Sequence, residues 1–321
     1  MGKPIIYITR QIPTKLLEPY EAQFQFEMWE KEDTPVPEAL LYEEVKRADG
    51  MLCLLTEKVD KSFLEHASHL KVIANMAVGY DNIDVKTANA KEIIITNTPD
   101  VLTETTADLT FTLLLTTARR IIEASHYIAE DKWDVWSPFM LAGSDVHAKK
   151  IGIIGMGRIG EAVGRRAKGF GMDILYHNRS RNERIENELG ATYGSFEDVI
   201  KEADFVVSLL PLTAETEDTF NEATFAQMKR SAIFINASRG GVVDEQALYD
   251  ALKNQVIRAA GIDVFKKEPI DSTHPLATLP NAVLLPHIGS ASVQTREKMI
   301  QLCLENISRV LHGEAPLTPV K

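Results

Sequence analysis

The sequence predicts an α/β fold made of two doubly wound parallel-sheet domains, and three observations support this prediction. Short β-branched runs alternate with helical patterns along most of the 321 residues, an order typical of parallel sheets covered by helices. The alternation occurs as two series, separated by an irregular stretch at 130–150 that contains Trp, Pro and Gly. A chain of this length also accommodates two domains comfortably.

The first series forms a small domain within the first hundred residues. A long apolar helix follows it, beginning at about Thr103 and running to about residue 128. Its apolar residues exceed one face, so we expect it to be buried over much of its length. Helices are also predicted at 37–48 and 60–67. The five strands predicted in this series are 4–10, 26–29, 50–55, 71–76 and 93–97.

The second series starts at Lys150 and contains six apolar runs that end at Gly, Pro or polar residues. Helices are predicted between them, for example at 158–170 and 244–254. A final amphipathic helix at 292–313 ends at Gly313 and is expected to return to the first domain. The predicted domains are therefore 1–99 with 291–321, and 100–290. The six strand-like runs are KIGIIG, MDILYHN, ADFVVSLLP, AIFINAS, RAAGIDV and NAVLLPH.

Composition excludes several classes of protein. The formal net charge is -11 and no long basic run exists, which argues against a nucleic-acid partner. No apolar run is long enough to span a bilayer, so no membrane partner is expected. Cys53 and Cys303 lie in periodic apolar segments and are expected to be buried thiols, which fits a reducing, cytoplasmic location. The histidines show no metal-ligand spacing, and no metal is predicted.

A glycine-rich turn predicts a dinucleotide site in the second domain. Gly155, Gly157 and Gly160 follow an apolar strand directly and open a helix, the context that a Rossmann nucleotide-binding turn requires. The first glycine allows the tight turn, the second lets a pyrophosphate approach, and the third lets the helix pack on the strand. Arg158 and Ile159 lie at the helix N-terminus, where backbone amides face the anion.

The residues after the next strand predict which dinucleotide binds. An acidic residue about 20 positions on usually binds the adenosine ribose of NAD, but this chain has Asn178, Arg179, Ser180 and Arg181 there. Arginines can bind an adenosine 2′-phosphate through charge-assisted hydrogen bonds. NADP(H) is therefore the preferred cofactor, and NAD(H) remains possible. The alternative is that both arginines are solvated surface charges.

Four polar residues follow three later strands of the same domain. Arg239 follows one strand, Asp263 and Glu268 follow another, and His287 follows the third. Carboxyl ends of strands line the ligand crevice in open α/β sheets. We therefore expect these side chains to converge, although they are distant in sequence.

With these motifs in order, the chain resembles the D-isomer-specific 2-hydroxyacid dehydrogenase family. Within the family it is most similar to the glyoxylate/hydroxypyruvate reductase branch, which includes 2-ketogluconate reductases; WDVWSP and HIGSAS suit that branch. The resemblance implies a Rossmann NAD(P)-binding domain and a flavodoxin-like substrate domain. The matching segments are GMGRIG, NASRGGVVDEQAL, GIDVFKKEP, LPHIGSAS and NMAVGYDNIDV.

The resemblance also implies catalytic roles, which simple chemistry explains. His287 is expected to be the acid/base, since an imidazole titrates near neutral pH. Glu268 is expected to hydrogen-bond the other ring nitrogen, which fixes the tautomer and favours the charged ring. Arg239 is expected to bind the substrate carboxylate and polarise its carbonyl group.

Substrate and cofactor contacts are implied in the same way. The amides of Val78 and Gly79 are expected to bind the substrate carboxylate from the first domain. Trp136 is expected to reach the active site of a neighbouring subunit, which predicts a homodimer; the alternative is a Trp packed within its own chain. The cofactor ring is expected to contact His287 and four further residues, with Asp263 receiving the carboxamide: Ala237, Asp263, Gly289 and Ser290.

The expected activity is NADPH-dependent reduction of small 2-oxo acids, glyoxylate and hydroxypyruvate, to D-2-hydroxy acids. A 2-ketogluconate reductase and a phosphoglycerate dehydrogenase are alternatives within the family. Formate dehydrogenase is disfavoured, because the family pattern has Gln there where this chain has Glu268. A different class of protein, a dinucleotide-sensing interaction protein like the family's corepressors, also remains open.

Overall fold

The chain divides into two compact units, each with its own sheet. The computed structural model describes residues 2–320. One unit comprises Met1–Leu102 with Ser292–Lys321, and the other comprises Thr103–Ala291. These divisions lie within three residues of the predicted domain bounds. The first unit is discontinuous because the last helix of the chain packs against its sheet.

The first unit contains five strands, all paired in parallel. They are β1 (Ile5–Ile8), β2 (Gln25–Met28), β3 (Gly50–Cys53), β4 (Val72–Asn75) and β5 (Ile94–Thr96). Their order is β2-β1-β3-β4-β5, the order of flavodoxin-like folds. Its helices are α1 (Glu38–Val45), α2 (Lys61–His66), α3 (Val85–Ala90) and α11 (Val293–Leu311).

Burial and capping explain why these segments form their elements. Every residue of β3 and β4 is buried, as expected for central strands of a parallel sheet that helices cover. Short polar side chains begin three of the four helices: Asp60, Asp84 and Ser292 each accept a hydrogen bond from a backbone N–H in the first turn of the helix that follows. Such caps satisfy amides that have no partner within the helix.

The residues after α11 pair with the edge strand β5. Thr96 and Pro319 form an antiparallel bridge, and the Val320 N–H donates to the Ile95 carbonyl at 2.8 Å. Asn306, fully buried in α11, accepts hydrogen bonds from the backbone of this segment. Residues 317–320 are therefore fastened to the rest of the first unit.

The second unit contains seven parallel strands. They are β6 (Lys150–Ile154), β7 (Asp173–His177), β8 (Thr192–Tyr193), β9 (Phe205–Ser208), β10 (Ile233–Asn236), β11 (Ala259–Ile262) and β12 (Ala282–Leu284). The order β12-β11-β10-β9-β6-β7-β8 places four strands on one side of β6 and two on the other, which is the Rossmann order with β12 as an additional strand at one edge. The strand β8 is only two residues long, and the sequence pattern did not predict it.

Seven helices belong to this unit among the described residues. They are α4 (Thr103–Ala118), α5 (Ile121–Ala129), α6 (Arg158–Gly169), α7 (Glu183–Leu189), α8 (Phe196–Glu202), α9 (Glu222–Gln227) and α10 (Glu245–Lys253). The parallel two-sheet α/β class predicted from the sequence is confirmed.

The single long helix predicted at 103–128 is wrong, because the chain breaks it in two. Arg120 adopts a left-handed conformation with φ 54° between α4 and α5. The Ala118 carbonyl accepts from the Ser144 N–H at 2.8 Å instead of continuing the helix. A Cβ on Gly143 would lie 2.2 Å from that carbonyl oxygen, so glycine permits this crossing.

Burial also differs between the two helices. Half of α4 is buried, whereas α5 buries none of its residues. Ile121 and Ile128 on α5 are 50% and 60% exposed. The expectation of burial therefore holds for α4 and is wrong for α5, which presents apolar side chains at the surface of this unit.

Three global features can be checked on the described residues. Cys53 and Cys303 are free and buried, as expected. No helix within 2–320 has the length and apolar character needed to cross a membrane. In the same range, no three His, Cys, Asp or Glu side chains lie together in a way that could hold a metal ion.

Candidate active site

The glycine turn after β6 leaves open space at its second glycine. Gly155 has φ +101°, and a Cβ there would lie 2.7 Å from the Leu209 carbonyl oxygen. A Cβ on Gly160 would lie 2.5 Å from the Gly155 carbonyl oxygen. A Cβ on Gly157 would meet no atom within 4 Å. Gly155 and Gly160 are thus required by the protein's own packing, whereas the space at Gly157 is free for a ligand.

The helix α6 begins at this space without a side-chain cap. Gly157 is its N-cap residue and contributes no side chain, so the first amides, including those of Arg158 and Ile159, are not capped by it. Helix N-termini of this kind bind phosphate groups through N–H donors and the helix dipole. The turn therefore has the geometry that a dinucleotide pyrophosphate requires.

Asn178 braces the turn from the end of the neighbouring strand. Its Oδ1 accepts from the Met156 N–H at 2.7 Å, and its Nδ2 donates to the Met156 carbonyl at 3.1 Å. Both polar groups of the amide are engaged by the backbone of the glycine turn. A direct contact of Asn178 with the cofactor stays a prediction.

The two arginines of this segment differ in their surroundings. Arg181 forms a two-point ion pair with Glu186, with nitrogen–oxygen distances of 2.6 and 2.8 Å. Glu186 also accepts from the Tyr176 hydroxyl at 2.8 Å, and the Arg181 hydrogen bond followed by that of Tyr176 lowers the pKa of Glu186. Arg179 is exposed and makes no hydrogen bond to any described side chain. The pKa of nearby Glu215 is lowered, first by its hydrogen bond to Thr213 and to a smaller degree by the charge of Arg179. Ser180 beside it is also exposed.

At the end of β10, Asn236 shapes the turn that carries Arg239. Its Oδ1 accepts from the Ser238 N–H at 3.1 Å, and its Nδ2 donates to the Arg239 carbonyl at 3.0 Å. The Arg239 guanidinium in turn donates to the Ser238 carbonyl at 2.9 Å. The amide of Asn236 is almost fully buried, so the turn is held from the core. Ala237 lies buried within the turn.

This turn packs tightly against the loop that carries Glu268. A Cβ on Gly240 would lie 1.8 Å from the carbonyl carbon of Phe265, so only glycine fits. Glu245, at the start of α10, accepts from the Lys266 N–H at 2.7 Å, which fastens the same loop a second time. Arg239 and Glu268 are therefore positioned by adjoining backbone segments.

Glu268 and His287 form the central pair of the site. The His287 Nδ1 lies 2.7 Å from Glu268 Oε2, while Oε1 accepts from the Phe265 N–H at 2.9 Å. Burial alone raises the pKa of Glu268, but the hydrogen bond and charge of His287, with Arg239 contributing, hold it below its ordinary value. A carboxylate accepts hydrogen bonds, so Nδ1 carries the proton and Nε2 is the ring nitrogen left to exchange one.

The backbone at His287 is in a sparsely populated conformation. His287 has φ 52°, and its N–H donates to the Asp263 carbonyl at 2.9 Å. Left-handed residues other than glycine are uncommon, although His and Asn tolerate the region better than most. Such conformations cost roughly 1–3 kcal/mol and cluster at functional sites.

Asp263 is the buried carboxyl group of the site, with only 1% of its surface exposed. Its Oδ1 accepts from the Ile288 N–H at 2.8 Å. Its Oδ2 is buried and makes no hydrogen bond to any described residue. Burial raises the pKa of Asp263 to about 6. A Cβ on Gly289 would lie 3.3 Å from Oδ2, and the half-buried Ser290 follows.

The remaining predicted residues lie elsewhere. Val78 and Gly79 belong to the first unit, on the loop after β4, where Val78 is exposed. Trp136 lies in the stretch after α5 that has neither helix nor strand. Its ring is 72% exposed, which does not fit packing within its own chain.

Comparison with protein families identifies the second unit. The model described as "D-isomer specific 2-hydroxyacid dehydrogenase, NAD binding domain" matches residues 111–289. That range spans the glycine turn, the Arg239 turn and the Glu268–His287 pair. The chain belongs to the D-isomer specific 2-hydroxyacid dehydrogenase family.

Relatives of nearly the same length support this assignment. A protein named glyoxylate reductase from Korarchaeum cryptofilum is 48% identical over 315 residues, which cover 98% of this chain and 95% of the relative. One of the same name from Thermococcus kodakarensis is 46% identical over 322 residues, with 99% and 96% covered.

Solved structures agree over the whole chain. The TT0316 protein from Thermus thermophilus superimposes with a TM-score of 0.93 at 40% identity, covering 99% of this chain and all of that one. An NADPH-dependent glyoxylate/hydroxypyruvate reductase from Sinorhizobium meliloti, in complex with NADP and malonate, gives a TM-score of 0.88 at 34% identity, covering 99% and 97%.

As a 2-hydroxyacid dehydrogenase, the protein is an oxidoreductase that binds a nicotinamide cofactor. Two features of its structure fit that group. The space at Gly157 suits a pyrophosphate, and the unpaired Oδ2 of Asp263 suits the amide N–H of a nicotinamide carboxamide. An acceptor buried without a donor costs free energy unless a partner arrives on binding.

The sequence analysis missed several residues that shape the site. Asn236, Glu245 and Glu186 contact loop backbone or an arginine of the site yet were not singled out. The sequence did carry a signal for Asn236, because it is the polar residue that ends the apolar run in AIFINAS. Glu186 had no such signal, since it is one of several acids in a charged helix.

Asp263→Asn tests the electrostatics of the buried carboxyl group. The folded pKa of about 6 lies above the ordinary 3.8, so the wild-type protein loses stability as pH rises from about 4 to about 6 and stays destabilised above that. The full effect is on the order of 3 kcal/mol. The variant lacks this loss, so the difference in melting temperature, variant minus wild type, should increase from pH 4 to 6 and be constant above about pH 7. A pH-independent difference contradicts the raised pKa.

Proposed function

We propose that the protein reduces small 2-oxo acids, glyoxylate and hydroxypyruvate, to D-2-hydroxy acids with NADPH. The observation that carries the proposal is the 2.7 Å contact between His287 and Glu268, with the Arg239 charge acting on the same carboxylate. Relatives named glyoxylate reductase supply the substrate class. A cytoplasmic location is part of the proposal, and the two buried free thiols are compatible with it.

In this mechanism Arg239 binds the substrate carboxylate and polarises the carbonyl group through charge-assisted hydrogen bonds. The reduced nicotinamide, when bound, supplies a hydride to the carbonyl carbon. His287 donates the proton on Nε2 to the carbonyl oxygen, which completes the hydroxyl group. Glu268 stabilises the protonated ring before that transfer, since its carboxylate lies beside Nδ1. The amides of Val78 and Gly79 are further donors for the substrate carboxylate.

The preference for NADPH is assigned to the segment after β7. Arg179, Ser180 and Arg181 contribute positive charge and hydroxyl donors where NAD-binding chains have a carboxylate. Arg181 is already paired with Glu186, so we assign the main contact with the 2′-phosphate to Arg179. Glu186 reduces the positive charge available at Arg181.

The proposed active form is a homodimer. The helix α5 and the segment after it carry large exposed apolar side chains, and we assign them to one dimer surface; Trp136 and Phe139 there are 72% and 86% exposed. Large apolar patches on soluble proteins mark interaction sites. In the dimer, Trp136 shapes substrate access in the partner subunit.

One assay tests the activity and its alternatives. Purified protein is mixed with NADPH or NADH and with glyoxylate, hydroxypyruvate, 2-ketogluconate or 3-phosphohydroxypyruvate, and loss of reduced cofactor is followed. The proposal expects the highest kcat/KM for glyoxylate or hydroxypyruvate with NADPH. Binding of NADPH without turnover of any 2-oxo acid would favour the dinucleotide-sensing class. An NADH preference above tenfold would overturn the cofactor assignment.

His287→Asn should abolish proton transfer while it preserves the fold. Asn tolerates the left-handed backbone that His287 adopts but cannot donate a proton at neutral pH. We expect kcat for glyoxylate to fall by roughly 10²–10⁴-fold, while NADPH still binds in a fluorescence titration. Turnover within threefold of wild type removes His287 from the mechanism.

Arg179→Ala and Arg181→Ala should differ in their effect on NADPH. Because Glu186 pairs with Arg181, loss of Arg179 should lower kcat/KM for NADPH by about 10- to 100-fold, and loss of Arg181 should lower it less. Steady-state kinetics with NADH serve as the control and should change little in both variants. Equal losses of kcat/KM for NADPH in the two variants, or no loss in either, contradict the assignment of the main 2′-phosphate contact to Arg179.

Ile128→Asp should weaken the homodimer. It places an unpaired charge in the apolar surface that the proposal buries, so sedimentation velocity should show a shift from dimer to monomer. Val256→Asp, a matched change at another exposed apolar residue, should leave the dimer intact. A monomeric wild-type protein at micromolar concentration contradicts the proposed assembly.

A further inference from the structure

The loop at 77–79, directly after β4, has all three of its carbonyl groups hydrogen-bonded. Two of the donors are side-chain amides that come from the ends of β4 and β5, and the third is a backbone amide. The bonds are Thr98 N to Ala77 O at 2.8 Å, Asn97 Nδ2 to Val78 O at 2.7 Å, and Asn75 Nδ2 to Gly79 O at 2.9 Å.

A hydrogen bond that fixes a carbonyl group also fixes the direction of the N–H group of the next residue. A trans peptide group is planar, so its C=O and the N–H of the next residue point in opposite directions. The N–H groups of Val78, Gly79 and Tyr80 therefore point away from the donors that hold the loop. None of these three N–H groups makes a hydrogen bond to a residue within 2–320. Successive free amides of this kind form anion-binding concavities.

Asn97 is itself anchored by the segment after α11. Its carbonyl accepts from the Thr318 hydroxyl at 2.6 Å, and its N–H donates to the Thr318 carbonyl at 3.3 Å. Thr318 is in turn held by the buried Asn306. The position of the Asn97 amide is thus fixed before any ligand arrives.

Asn75 is fixed by burial instead. It is fully buried at the end of β4, and its Oδ1 faces the Cys53 thiol at 3.6 Å. Its Nδ2 also lies 3.4 Å from the side-chain oxygen of Asn82. Changing Asn75 would disturb the core, so the half-buried Asn97 is the cleaner position for an experiment.

We propose that Asn97, together with Asn75, is a positioning residue that aims the loop amides at the substrate carboxylate. The inference rests on the proposed function, in which Val78 and Gly79 bind that carboxylate. Without the Asn97 donor, the peptide between Val78 and Gly79 can turn over, and its carbonyl oxygen would then face the anion and repel it. A neutral amide suits the task, because it donates to the carbonyl and adds no charge near the substrate.

Asn97→Ala should weaken substrate binding selectively. Loss of one neutral hydrogen bond should raise KM for glyoxylate by about 5-fold, and the inhibition constant of oxalate, a non-reducible dicarboxylate, should rise by a similar factor. The KM for NADPH should stay unchanged. Asn97→Asp, of nearly the same shape, replaces the donor with an anionic acceptor and should raise both values further.

Asn89→Asp is the matched control, since Asn89 is exposed on α3 in the same unit and makes no hydrogen bond to residues 77–79. It should leave all these constants unchanged, and melting temperatures should show all variants folded at the assay temperature. Unchanged glyoxylate KM and oxalate inhibition in Asn97→Ala, or a fall in kcat alone, overturns the inference while the proposed function stands. A wild-type protein that reduces no 2-oxo acid overturns both.

Discussion

Hydrogen bonds from asparagine side chains at strand ends fix one loop of the first unit and two turns of the candidate site in the second unit. Asn75 and Asn236 end their strands, and Asn97 and Asn178 follow theirs directly. Each bonds to the backbone of a loop. An amide both donates and accepts without carrying charge, so it can satisfy a loop backbone without competing with anionic ligands. An aspartate in these places could only accept, and would repel a phosphate or carboxylate.

Two carboxyl groups in the second unit have pKa values that are shifted in opposite directions, because their surroundings differ. The pKa of Glu268 is lowered because its pairing with His287 outweighs burial, whereas burial raises the pKa of Asp263 to about 6. Divergent environments of this kind assign different tasks to like groups. The ionised form of Glu268 is favoured beside His287, and Asp263 keeps an oxygen unpaired. Gly240 lets the Arg239 turn approach the Glu268 loop, and the charge of Arg239 also lowers the pKa of Glu268.

The sequence predicts features that depend on local pattern and misses those that depend on packing across the fold. Strand alternation and the glycine spacing are local, so both sheets and the turn at Gly155 were predictable. The convergence of Glu268 and His287 follows from strand ends meeting at one edge. The break at Arg120 was not predictable, because it depends on Ser144, distant in sequence, reaching the Ala118 carbonyl. The pairing of Arg181 with Glu186 likewise depends on how α7 lies beside β7.

The residues after α11 have two tasks in the first unit. Their pairing covers an outer strand of the sheet, and uncovered strands recruit other chains into aggregates. Through Thr318, the same residues hold the backbone of Asn97. In the role that we propose for Asn97, cover of the sheet edge and substrate affinity both depend on this segment, which contains no catalytic motif. Loss of this segment would disturb both properties together.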